Sequence, residues 1–344
     1  MSRYALPLSV AGTFLGAAVL LRDSVSGGSC PSKATIHGKT VIVTGANTGI
    51  GKETARELAQ RGGRIILACR DLDKCEAAAK EIRGDTLNHR VDARRLDLAS
   101  LTSVRAFAKK IVEGRKPREE ERVDVLINNA AVMRCPHWTT EDGFEMQLGV
   151  NYLGHFLLTN LLLEKLKASG ASRVINISSL AHIAGHVDLE DLNWERRPYE
   201  AKAAYCQSKL AVVLFTRELS RRLEGTRVTA NALHPGVAST ELGRHTGMHK
   251  SVFSSTVLGP FFWLLIKTPK LAAQPSIYLA VAPELSGVSG KYFNAFRQKD
   301  PAPQAQDDEA AQKLWARSAR LVGLEEAEVP KAASPGRVTD TRSS

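Results

Sequence analysis

A glycine-patterned turn constrains this chain more than any other feature. Thr44-Gly45-Ala46-Asn47-Thr48-Gly49-Ile50-Gly51 follows the run Lys39–Thr44, whose apolar centre Val41-Ile42-Val43 reads as a buried strand, and it opens the helical stretch Lys52–Arg61. Three spaced glycines between a strand and a helix make an anion cradle. Gly45 permits the tight turn, Gly49 lets the backbone approach a pyrophosphate, and Gly51 allows close helix–strand packing. The helix N-terminus adds N–H donors and partial positive charge. Gly45, Asn47, Thr48, Gly49, Ile50 and Gly51 are therefore the expected floor of a dinucleotide site.

Beyond the turn, helix-like stretches alternate with short apolar runs at Arg64–Cys69, Arg90–Leu96, Val123–Asn128, Arg173–Ser178, Arg227–Leu233 and Lys291–Phe293. This is the βαβ rhythm of a parallel sheet covered on both faces, so the expected fold is an α/β Rossmann-type doubly wound sheet in one domain over residues 38–323. Residues 24–37 read as a Gly/Ser/Pro linker, Glu113–Arg122 as a charged surface loop, and 324–344 as a disordered polar tail.

Ala5–Leu21 is a charge-free apolar run at the lower limit for crossing a bilayer, so residues 1–23 are a membrane anchor or a targeting segment. The lack of a small-residue cleavage site after it favours an uncleaved anchor. A hydrophobic fraction of 43% with 24% charged residues fits a globular domain and excludes a polytopic membrane protein or a wholly disordered one. The excess of 47 Lys plus Arg over 36 Asp plus Glu suits an anionic partner, yet the positive charges are scattered without a recognition motif, so nucleic acid is not expected. Five cysteines without a CxxC pair imply free thiols and no metal site.

At the end of the second strand, a cofactor lacking the ribose phosphate usually meets an Asp or Glu on its 2′-hydroxyl. Here the residues are Cys69-Arg70-Asp71, and the planar cation of Arg70 favours NADP(H) unless Asp71 pairs with it. Asp97 and Asn129 close the third and fourth strands, where a ligand crevice belongs.

Tyr205 and Lys209, four residues apart in Tyr-Cys-Gln-Ser-Lys, share one face of a helix. A neighbouring ammonium stabilises a phenolate, so the pair is expected to bring the Tyr205 phenol down from its usual pKa near 10 and make it an acid for a carbonyl oxygen. Ser178-Ser179 ends the fifth strand, placing a hydroxyl at the same sheet edge. Asn151 falls inside a helix, where its poor propensity asks for a special reason.

The order of glycine turn, Asn128-Asn129-Ala130, helical Asn151, Ser179, Tyr205-x-x-x-Lys209 and His234-Pro235-Gly236 resembles the short-chain dehydrogenase/reductase family from about Gly38 to Phe296. Ser178-Ser179-Leu180-Ala181-His182, the segment Ala204–Ala211 and Leu233-His234-Pro235-Gly236-Val237 are similar to its retinol dehydrogenase branch. The resemblance implies a catalytic tetrad of Asn151, Ser179, Tyr205 and Lys209, with Lys209 also holding the nicotinamide ribose and Ser178 facing the core. It places Pro235, Gly236 and Thr240 beside the nicotinamide. It further implies an NADPH-dependent reduction of all-trans-retinal to retinol on a membrane, the mitochondrial inner membrane first and the endoplasmic reticulum as the alternative.

Three departures stand against the family pattern. The loop at Glu113–Arg122 is longer, the polar tail is the chain's own, and Ala131 occupies the glycine place of Asn-Asn-Ala-Gly. A methyl at Ala131 crowds the cofactor or demands an unfavourable φ, which predicts an active but impaired enzyme. Within residues 237–268, the family's lid region, Val257–Ile266 is apolar and too short to span a bilayer, which suits a retinoid, a steroid or a lipid-derived aldehyde. A catalytically silent NADP-binding or scaffold protein is the competing class. His182 and His186 read as structural, and the glycosylation pattern at Asn176 falls on a buried strand. No feature fixes the oligomeric state.

Overall fold

In the computed structural model, residues 28–114, 122–236, 242 and 267–324 are described. The anchor run Ala5–Leu21, most of the 237–268 lid, Thr240 and the tail beyond Leu324 lie outside them. Among the described residues, no helix is long and apolar enough to cross a membrane.

The chain runs β1 (Thr40–Thr44), α1 (Gly49–Gln60), β2 (Arg64–Cys69), α2 (Leu72–Thr86), β3 (Val91–Arg95), α3 (Leu101–Glu113) and β4 (Val125–Asn128). It continues with α4 (Gly154–Ala168), β5 (Arg173–Ile177), α5 (Ala201–Arg222), β6 (Thr229–His234), α6 (Pro269–Val281), β7 (Tyr292–Asn294), β8 (Arg297–Lys299) and α7 (Asp308–Leu321). The sheet order is β3-β2-β1-β4-β5-β6-β7-β8, parallel throughout except for the β7–β8 hairpin. Strand order reverses between β1 and β4, which opens a crevice at their carboxyl ends. β8 is the one strand the sequence reading leaves out, because Arg297-Gln298-Lys299 is polar and fully exposed at the sheet edge.

Strand alternation feeds two cores. Ile42, Ile66, Leu126 and Val174 face α3, α4, α5 and α7, while Val41, Val43, Ile65, Leu67 and Ile175 face α1, α2 and α6. Both faces of the sheet are thus sealed, leaving the strand ends as the place for chemistry. The five cysteines are buried, and none forms a disulfide with another described residue. Asn176 is buried in β5, where it accepts from Asn128 Nδ2 and donates to Thr216 Oγ1, so its glycosylation pattern is not on an accessible surface.

Candidate active site

A cleft of ≈ 780 Å³ runs along the carboxyl ends of the strands, from Arg70 and Lys74 past the glycine turn to Tyr205, Lys209 and Gly236. Its floor is the β1–α1 turn. Gly45 has φ +64, and a Cβ there meets Ala130 Cα at 2.9 Å, so both the conformation and the space require glycine. A Cβ on Gly51 lies 2.5 Å from Asn129 Nδ2 and 2.5 Å from the Gly45 oxygen. Asn129 is itself fixed: its Nδ2 donates to the Thr44 oxygen at 2.8 Å. This amide therefore braces the turn, a role that its position at a strand end does not reveal.

A dinucleotide fits this donor set. Gly49 also has positive φ, at 58°, and it opens α1, whose N-cap Thr48 makes no side-chain cap bond. The first N–H groups of α1 therefore lack a side-chain cap from Thr48 at the cleft floor. Asn47, Thr48, Ile50 and Asp97 line the same wall. Asp71 does not neutralise Arg70. Its carboxylate caps α2 by accepting from Lys74 N at 3.1 Å and pairs with Lys74 Nζ at 3.4 Å, which holds it below the usual carboxylate range. Among the described residues no ion pair engages Arg70, which stands exposed at the cleft end.

At the other end, β5 and α5 bring Ser179, Tyr205 and Lys209 to one wall. Ser178 turns the other way and donates to the Lys209 carbonyl at 2.8 Å, whereas Ser179 Oγ caps the following turn by accepting from Ala181 N at 3.2 Å. Lys209 is buried; its Nζ donates to the Ile177 carbonyl at 2.9 Å and lies 5.8 Å from the Tyr205 ring centre. The expectation that this ammonium lowers the phenol is not met. Burial pushes Tyr205 up to about 12, offset in part by a hydrogen bond with the Ser179 side chain and by the charge of Arg134, and burial pulls Lys209 down to about 8. Desolvation outweighs the ammonium at this separation, so the phenol stays protonated at neutral pH.

Asn151 has the special reason its helical position demands. It sits in a π turn, Gly149–Leu153, that precedes α4. Its Oδ1 accepts from Val132 N at 2.8 Å, and its Nδ2 donates to the Val132 oxygen at 3.0 Å and to Ser208 Oγ at 2.9 Å. Asn151 thereby fastens the segment after β4 to the helix that carries Tyr205. Pro235 and Gly236 line the cleft, and a Cβ on Gly236, whose φ is +94, meets Lys267 Cε at 2.7 Å.

Ala131 also lines the cleft and is half-buried, but its φ is not in the left-handed region. The backbone-strain half of the concern over this residue is therefore overturned, and only crowding of a bound cofactor remains. His182 is a satisfied core side chain: its Nδ1 bonds the Ser179 oxygen at 2.7 Å and its Nε2 accepts from Ala302 N at 3.2 Å. His186 is exposed away from the cleft.

The strand order, the glycine floor and the serine–tyrosine–lysine wall define a nucleotide-dependent oxidoreductase scaffold. The family described as short chain dehydrogenase matches residues 39–250, and the chain belongs to that family. It is 75% identical to retinol dehydrogenase 13 of Homo sapiens over 325 residues, covering 94% of this chain and 97% of the human one. Retinol dehydrogenase 13 of Mus musculus is 72% identical over 337 residues, 98% of each chain. Among solved structures, a Beutenbergia cavernae protein with NADP bound at low occupancy superposes with a TM-score of 0.61 at 27% identity. It covers 76% of this chain and 96% of its own.

Proposed function

We propose that this protein is an NADPH-dependent oxidoreductase that reduces all-trans-retinal to retinol. The observation that carries the reading is the cleft, which joins the exposed Arg70 cation at one end to the Ser179, Tyr205 and Lys209 wall at the other. Relatives that bear the name retinol dehydrogenase support the substrate class. The glycine turn, Asp97, Asn129, Pro235, Gly236 and Thr240 hold the nucleotide in this reading, and Arg70 takes its 2′-phosphate. A bound nicotinamide supplies the hydride. Tyr205, protonated in the neutral range, gives its phenolic proton to the carbonyl oxygen, which the Ser179 hydroxyl also hydrogen-bonds. Lys209 holds its charge beside the phenol and Asn151 positions the helix under it.

Purified protein is expected to oxidise NADPH with retinal faster than with steroid ketones or short lipid-derived aldehydes; the opposite ranking reassigns the substrate, and no turnover with any of them favours the silent binder. Arg70→Ala is expected to weaken NADPH by about 1.5–3 kcal/mol, the cost of a hydrogen bond to a charged group, and NADH far less. Equal losses for both nucleotides place the discrimination elsewhere. Ala131→Gly is expected to improve NADPH affinity or turnover several-fold, because a methyl that crowds the cofactor costs roughly 1–3 kcal/mol to accommodate. Side-by-side titration of the two proteins checks this, and identical values mean that the methyl has room.

In the same reading Ala5–Leu21 anchors the enzyme on a membrane, the mitochondrial inner membrane first and the endoplasmic reticulum as the alternative. Full-length protein should stay in the pellet after a carbonate wash, and a chain beginning near Ser24 should leave it. A mature N-terminus beyond Leu21 overturns the anchor.

A further inference from the structure

His155 lies in the first turn of α4, buried, four residues after Asn151. Its ring touches two parts of the site at once: Nδ1 is 3.1 Å from the Asn151 carbonyl oxygen and Nε2 is 2.9 Å from Thr44 Oγ1. Thr44 is the last residue of β1, directly before Gly45. Its hydroxyl oxygen already accepts from Asn129 N at 2.8 Å and from Ala130 N at 2.9 Å, which uses both lone pairs. Only its proton is left for other contacts. The Ile127 carbonyl, at 3.4 Å, is a poor acceptor for that proton, so the hydroxyl donates to His155 Nε2. Nε2 must then carry a lone pair, and Nδ1 carries the hydrogen that the Asn151 carbonyl accepts.

From this bookkeeping we infer that His155 is a positioning residue that couples the nucleotide turn, through one fixed neutral tautomer, to Asn151, which fastens the helix that carries Tyr205. Two chains meet at its ring. One runs through Thr44 to the N–H groups of Asn129 and Ala130, and Asn129 braces the turn from its other side through Nδ2. The other runs through Asn151 to Ser208, whose hydroxyl donates to the Tyr205 carbonyl at 2.8 Å. A protonated ring aims a second donor at a hydroxyl whose lone pairs are filled, so the arrangement excludes the charged form. Burial and the nearby charge of Lys209 act the same way, pulling the imidazole down to about 4.

The inference rests on the site's being a nucleotide site, not on which nucleotide it prefers. Whichever of NADPH and NADH the parent binds more tightly is titrated by fluorescence against the parent, His155→Phe, Thr44→Val and the double variant, so an error in the 2′-phosphate assignment leaves the result intact. Each single variant is expected to raise the dissociation constant roughly fivefold or more, the effect of leaving one buried partner unsatisfied. The double variant should be no weaker than the worse single one, since both cut the same link. His155→Gln, which can return an acceptor to Thr44, should recover part of the affinity, and Thr44→Ser, which keeps the hydroxyl, should bind like the parent. If His155→Phe does not fold, the Gln and Ser variants against Thr44→Val decide. A fall in melting temperature with unchanged nucleotide affinity makes His155 an ordinary core residue and overturns the coupling, as does strict additivity in the double variant.

Discussion

Tyr205→Phe is expected to cut retinal reduction by about 10²–10⁴-fold while NADPH still binds almost as tightly as in the parent. The substitution removes one oxygen from a buried ring and leaves its packing in place. What is lost is the proton that the carbonyl oxygen needs as hydride arrives at carbon. Ser179 cannot replace it well. A serine hydroxyl next to Tyr205 can donate a hydrogen bond, but it is a much weaker acid than a phenol. Both kcat and kcat/KM should therefore fall together, the signature of an interaction made in the transition state. Retained turnover would falsify the assignment and move the proton source elsewhere.

Burial pushes the Tyr205 phenol up to about 12, so in the neutral range it holds the proton that the proposed reduction consumes. Lys209, pulled down to about 8, is the group on this wall that changes charge nearest neutrality. Reductive kcat/KM of the parent should accordingly show an alkaline fall centred near 8 as the ammonium beside the phenol is lost, and no separate limb from the phenol in the ordinary working range. A limb that survives in Lys209→Met would assign the titration to another group.

Much of this site is written in short-range pattern. The strands β1, β2, β4 and β5 are apolar runs bounded by turn residues, and the crevice follows from the reversal of strand order between β1 and β4. Tyr205 and Lys209 are legible from a four-residue spacing, and the glycines from their place between a strand and a helix. What the pattern hides depends on three-dimensional neighbours. Thr44 and His155 are 111 residues apart, so no spacing rule joins them. Asn129 reads as a strand-end ligand contact until Gly51 and Thr44 are seen to enclose its amide. The phenol's pKa is hidden for the same reason: helical spacing supplies the ammonium, but the desolvation that outweighs it comes from the burial of the side chain. β8 escaped because three exposed polar residues carry no periodic signal and are strand only through pairing with β7.

Gly51→Ala is expected to destabilise the protein and to weaken nucleotide binding by more than about tenfold, against the helix-forming tendency of the substitution. Gly51 sits in the first turn of α1 with an ordinary helical backbone, so by propensity alone alanine should stabilise it by roughly 0.5–1 kcal/mol. Space decides otherwise. The new methyl carbon comes 2.5 Å from Asn129 Nδ2, 2.5 Å from the Gly45 oxygen and 3.1 Å from Ala46 Cα. Two of these are backbone atoms of the turn itself, and the amide is held by Thr44 at 2.8 Å, so no flexible side chain can yield. Relief requires moving the turn away from α1, which costs about 1–3 kcal/mol and spoils the N–H cradle at the same time. Gly84 supplies the contrast. It is helical in α2, exposed, and a Cβ there meets nothing within 4 Å, so Gly84→Ala should raise stability by roughly 0.5–1 kcal/mol and leave NADPH affinity alone. Melting temperatures and NADPH titrations of the two variants should therefore move in opposite senses for stability and only in Gly51→Ala for binding. A Gly51→Ala protein as stable and as tight-binding as the parent would show that α1 can slide outward freely, and that the close fit of turn to helix is not what holds the nucleotide.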